Sequence, residues 1–62
     1  MNTYLVSYYY IPLEDESSGK SYSFKAGSMV FEAFDLGECL ESANNILEQQ
    51  YTKFFIEDIK HI

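Results

Sequence analysis

The stretch Thr3-Tyr4-Leu5-Val6-Ser7-Tyr8-Tyr9-Tyr10-Ile11 decides the fold. β-Branched and aromatic residues dominate it, so it reads as a β-strand. Pro12 ends it, because proline has no N–H to give to a ladder. Neighbours on a strand point to opposite faces of the sheet. Tyr4, Val6, Tyr8 and Tyr10 therefore share one face, and Leu5, Tyr9 and Ile11 share the other. Both sets are apolar enough to be the core, so which of them lies under a helix stays open. The chain offers one convincing helix, which covers one face only. At least one of Tyr8, Tyr9 and Tyr10 then faces away from it, which points to a binding surface or a dimer interface.

Downstream, Leu13-Glu14-Asp15-Glu16-Ser17-Ser18-Gly19 reads as a polar, acidic loop with Ser18-Gly19 as a turn signal. A second strand begins near Lys20. Tyr22, Phe24 and Ala26 alternate with Ser21, Ser23 and Lys25, the cleanest half-buried pattern in the chain. After Gly27-Ser28 the apolar parity changes, and Met29, Phe31 and Ala33 take the inner face. Gly27 can mark a β-bulge in one long bent strand. Alternatively, Gly27-Ser28 is a two-residue hairpin turn. Both readings put residues 26 and 29 on the same face, and the single bent strand is preferred.

Asp35 is a strong helix start. Its carboxylate can accept from the Glu38 N–H while Glu38 reaches back to the Asp35 N–H, the spacing of a capping box. The helix runs to about Gln50. Leu36, Leu40, Ala43 and Leu47 make its apolar stripe, widened by Cys39, Ile46 and Tyr51. A last strand runs from Thr52 to about His61, with Phe54 and Ile56 on one face and Phe55, Glu57 and Ile59 on the other. The expected architecture is a single α+β domain over residues 1–62. It is a two-layer β-β-α-β sandwich whose antiparallel three-stranded sheet has the order 2-1-3, with the helix on one face.

Composition narrows the function classes. Sixty-two residues form one small core, and a chain this short buries only about 60% of its unfolded surface. Cys39 is the one cysteine and His61 the one histidine, so neither an internal disulfide nor a protein-only zinc site is expected. Five Phe and six Tyr supply packing instead. Ten Asp and Glu face four Lys and no Arg, a net charge of −6. Phosphate neutralisation needs clustered bases, and Lys20, Lys25, Lys53 and Lys60 are scattered, so direct nucleic-acid binding is not expected. An acidic surface favours a basic protein partner and speeds encounter with it. No segment approaches the ~18–20 apolar residues of a membrane span. Met1-Asn2-Thr3-Tyr4 lacks the start of a signal peptide, and a single cysteine fits a reducing cytosol. The two ends read as those of a complete small open reading frame.

The candidate contact residues are Tyr8, Tyr9 and Tyr10, the loop acids Glu14, Asp15 and Glu16, and the helix acids Glu38, Glu41 and Glu48. The loop acids lack the spaced oxygens and glycine turn of a Ca²⁺ cage. Cys39 has no neighbouring base and reads as a small buried hydrophobe. No nucleophile–base arrangement, phosphate-cradling loop or dinucleotide fingerprint occurs, so no enzyme activity and no cofactor are expected.

Met1-Asn2-Thr3-Tyr4-Leu5, the Ser18-Gly19 turn, and the passage through Ser42-Ala43-Asn44-Asn45-Ile46-Leu47 give the chain a likeness to a known group. It resembles the small proteins of phages and mobile elements, in particular anti-CRISPR proteins directed at type I surveillance complexes. The resemblance implies an acidic, non-enzymatic inhibitor in the host cytoplasm that binds a host complex where DNA would bind. It transfers no residue-level site. Self-association of a small structural or accessory protein, as a homodimer, is the competing expectation.

Overall fold

The computed structural model describes residues 1–14 and 23–62. Four elements follow in order: β1 (Asn2–Tyr10), β2 (Lys25–Ala33), α1 (Leu36–Gln50) and β3 (Phe54–His61). The sheet order is β2-β1-β3, with both neighbouring pairs antiparallel. This is the expected open-sheet α+β fold. The Ser18-Gly19 turn and the expected start of the second strand at Lys20 lie outside the described residues.

The central strand settles which face is inner. Tyr4, Val6 and Tyr8 are buried, and Tyr4 and Val6 join Ala33, Cys39 and Ala43 in one core cluster. Met29, Phe31, Ile56 and Ile59 pack against that cluster. Even-numbered β1 residues thus face α1, and Leu5 and Tyr9 face the open side; Ile11, expected to share their face, lies past the end of β1 and is buried.

Gly27 is neither a bulge nor a turn. β1 and β2 pair without interruption from Asn2↔Ala33 to Tyr10↔Lys25, with Gly27 opposite Tyr8 and Ser28 opposite Ser7. Residues 26 and 29 therefore lie on opposite faces. The parity change is real, but it divides two apolar sets: Met29, Phe31 and Ala33 inward, Ala26 outward. Gly27 sits where the Tyr8 ring crosses the neighbouring strand. A Cβ added there would come within 2.7 Å of that ring.

The irregularity lies instead on β3. Ser7 pairs with Asp58 and Tyr8 with Ile56, so Glu57 is the extra residue of a β-bulge. The bulge shifts parity by one, which turns Ile59 inward opposite Val6 rather than outward beside Phe55. Without it, Ile56 and Ile59 could not both reach the core.

The helix start is the expected one, with one altered partner. Asp35 is extended (φ −150°, ψ 175°), and its Oδ1 accepts from the Glu38 N–H at 2.8 Å. The Glu38 carboxylate accepts from the Phe34 N–H at 3.2 Å, one residue before the N-cap. Both acids sit at the positive end of the helix dipole. Replacing Asp35 by alanine should lower stability by about 1 kcal/mol, read from the urea midpoint at constant slope. A shift corresponding to less than about 0.3 kcal/mol would refute the cap's role.

The buried stripe of α1 is narrower than expected. Cys39, Ala43 and Leu47, one turn apart each, are fully buried. Leu36, Leu40 and Ile46 are exposed on its flanks. Cysteine and alanine are small and let the helix lie close over the sheet, which leaves the wider side chains overhanging. Tyr51 is not part of the stripe. It is the C-cap, in extended conformation, with its N–H donating to the Leu47 carbonyl.

Candidate interaction surfaces

The open sheet face is built by β1 and its two partners. Tyr9 lies between Ala26 on β2 and Phe55 on β3. The Tyr9 and Phe55 rings are 5.2 Å apart, and Phe24 meets Phe55 edge-on at 5.2 Å. Phe24 and Phe55 remain 47% and 48% exposed. Moving along the strands, the next row is Ser28, Ser7 and Asp58, and the row beyond is Val30, Leu5 and Lys60. A shallow hollow of about 330 Å³ opens over the serine row, lined by Ser7, Tyr8, Ala26, Gly27, Ser28 and Glu57.

The tyrosine run divides as strand geometry requires. Tyr9 alone is on the open face. Tyr8 is 7% exposed, under the helix side, with its ring 5.7 Å from Tyr10. Burial, then the nearby Tyr51 and Tyr10, push the Tyr8 phenol above its ordinary pKa, so it stays protonated. Tyr10 stacks on Tyr51 at 4.4 Å and 28°. Aromatic pairs of this geometry add roughly 0.5–1.5 kcal/mol beyond area burial. Tyr8 is therefore a core residue, and any partner contact from the run falls to Tyr9 and the half-buried Tyr10.

Tyr10 and Tyr51 also wall a second concavity of about 420 Å³, together with Pro12, Leu13, Glu14, Lys25 and Gln50. Two sequence-selected residues, Tyr10 and Glu14, meet here. Asp15 and Glu16 lie outside the described residues. Tyr51 falls outside the expected contact residues, because the helical period assigns it to the apolar stripe.

The third surface is the outer side of α1. Glu38, Glu41 and Glu48 are all exposed. They are not equivalent: Glu38 is engaged in the helix start, while Glu41 and Glu48 have no such duty. The helix contains no Lys or Arg at all, and its last turn carries no base. A fourth grouping is apolar. Met1, Phe34 and Ile62 are exposed at the end of the sheet where Asn2 pairs with Ala33. There the Asn2 side-chain amide donates to the Phe34 carbonyl at 3.1 Å.

Cys39 is buried, and burial raises its thiol pKa, which makes it a poor nucleophile. His61 stacks against Tyr4 at 5.2 Å, an ordinary cross-strand ring contact. Among the described residues, no group of three or more His, Cys, Asp or Glu is placed to hold a metal ion. No helix among them is long and apolar enough to cross a membrane. No family model, no curated protein and no solved structure matches the chain.

Proposed function

We propose that the protein is a non-enzymatic inhibitor or modulator that binds a host protein complex handling nucleic acid. A CRISPR surveillance complex in the host cytoplasm is the target suggested by the resemblance to phage-encoded anti-CRISPR proteins. The observation that carries the reading is the charge of α1: three exposed glutamates and no base within fifteen residues. Surface helices ordinarily stabilise such acids with Lys or Arg one turn away. Glu48 stands in the last turn, where the dipole disfavours an anion and the helix itself supplies no Lys or Arg. Acids placed against local stability are suited to an external basic surface, which they also steer toward.

Charge reversal at Glu41 and Glu48 tests this while leaving the Glu38 contact at the helix start intact. Target capture from host lysate, with captured proteins identified by mass spectrometry, should fall about tenfold or more in the double variant Glu41→Lys/Glu48→Lys. Wild-type capture should weaken as salt rises. Undiminished capture by the double variant would remove the acidic helix from the mechanism. A captured set without nucleic-acid-handling proteins would sink the wider reading.

A second reading, a self-associating structural or accessory protein, is favoured by the exposed Phe24, Phe55 and Tyr9 on a sheet face that α1 does not cover.

A further inference from the structure

The two edges of the sheet are not alike. β3 bears Glu57, Asp58 and Lys60 and the bulge at Glu57, devices that keep an edge from pairing further. β2 has none of them between Lys25 and Glu32. Its stretch Ala26-Gly27-Ser28-Met29-Val30-Phe31 has no charge and no proline, and it pairs with β1 in unbroken register.

Two hydrogen bonds fix which backbone groups the β2 edge presents. The Ile62 N–H donates to the Thr3 carbonyl at 2.9 Å, and the Ile11 N–H donates to the Lys53 carbonyl at 3.1 Å. Odd-numbered β1 residues therefore turn their backbone groups toward β3, and even-numbered ones toward β2. The β2 partners of the even-numbered residues are Lys25, Gly27, Met29, Phe31 and Ala33. Ala26, Ser28, Val30 and Glu32 thus turn N–H and C=O away from β1, and all four residues are exposed. No strand lies beyond β2 among the described residues.

We propose that β2 is a docking edge for an extended, basic segment of a partner protein, which adds to the sheet as a fourth strand. This rests on the reading of a basic partner and names what that partner offers. Donors and acceptors alternating along a straight edge are complemented by another extended backbone, and pockets for alternate side chains then select the sequence. On the α1 side the segment lies beside Met29 and Phe31, half-buried residues packed on the core cluster, so apolar side chains belong there. On the open side it lies beside Val30 and Glu32, so a base belongs at the Glu32 end. Antiparallel addition, the stronger pairing, puts that base near the N-terminus of the segment. A net charge of −6 attracts a basic segment. It opposes a second copy, because two β2 edges joined about a two-fold axis keep both acidic helices on the same layer.

Titration of the isotope-labelled protein with a capped synthetic peptide, Lys-Val-Lys-Val-Thr-Val-Thr-Val, followed by amide NMR, tests the assignment. The peptide should bind with a Kd of about 10–500 µM. The largest amide shifts, and new protection from hydrogen exchange, should fall on Ala26, Ser28, Val30 and Glu32. Ser28→Pro and Val30→Pro each remove an N–H that points off the edge and leave the β1 ladder intact. Each should weaken peptide binding at least about tenfold. Circular dichroism checks that they fold, and the wild-type shift map decides the matter even if neither does. Equal binding of Lys-Gly-Lys-Gly-Ser-Gly-Ser-Gly would overturn the strand addition in favour of charge alone. Shifts centred on β3 or α1 would overturn the choice of edge. Edge amides that become protected with rising protein concentration, before peptide is added, would assign β2 to a second copy instead. Absence of binding would overturn the docking edge and leave capture through α1 standing, since Glu41→Lys/Glu48→Lys does not alter β2.

Discussion

Replacing Leu47 by alanine should remove about half of the chain's folding free energy. Leu47 has no exposed surface and is the largest side chain buried so completely among the described residues. The other two buried residues of α1, Cys39 and Ala43, are small. Leu47 is thus the largest apolar side chain that α1 buries. Leu→Ala in a core costs about 2–5 kcal/mol, the spread depending on how far the site collapses. A domain of this length has roughly 3–9 kcal/mol in total. The loss is therefore a large fraction of the whole. Leu40→Ala serves as the control, since Leu40 is 42% exposed and should cost under about 1 kcal/mol. The check is urea unfolding followed by circular dichroism. A Leu47→Ala midpoint close to that of Leu40→Ala would mean that α1 is held by something other than its buried stripe.

The order of elements and the central place of β1 were legible because helix and strand periods are local properties. Asp35 announced the helix for the same reason: an N-cap acts within three residues. Which face of β1 lies inward was not legible, because Tyr4, Val6 and Tyr8 are no more apolar as a set than Leu5, Tyr9 and Ile11. That choice is made by α1, through Cys39 and Ala43, and by the parity of two other strands. The sequence pattern misplaced the bulge for a related reason. A glycine in a strand signals either a backbone irregularity or the close approach of another group, and Gly27 is the second kind. The bulge at Glu57 leaves no local mark, since Glu57 and Asp58 are ordinary exposed residues; only the need to bring both Ile56 and Ile59 inward reveals it. For the surfaces, the adjacency of three tyrosines correctly required that one face away. It could not say that Tyr10 would find Tyr51, because that contact depends on where α1 ends.

Gly27→Ala, the addition of one methyl group, should cost about 1–3 kcal/mol. Alanine is normally better than glycine in a strand by roughly 0.5–1 kcal/mol, so the backbone term alone favours the change. The packing term opposes it. The new Cβ would lie 2.7 Å from Cζ, 2.8 Å from Cε2 and 2.9 Å from the hydroxyl oxygen of Tyr8. All three belong to the far end of a side chain, which ordinarily could swing aside. Here the ring is 7% exposed and neighbours the Tyr10 ring, which is itself stacked on Tyr51. Moving Tyr8 therefore disturbs a chain of three rings reaching from β1 to the end of α1. The packing term should exceed the backbone term, and the sign of the net effect is the test. The double variant Gly27→Ala/Tyr8→Leu should recover part of the loss, because leucine has no ring to meet the new methyl. A double-mutant cycle from urea midpoints should give a coupling of about 1 kcal/mol or more between the two positions. A stabilising Gly27→Ala, or additive single changes, would show that the ring can leave Gly27 freely. The parity switch at Gly27 would then need an explanation other than a glycine held open for Tyr8.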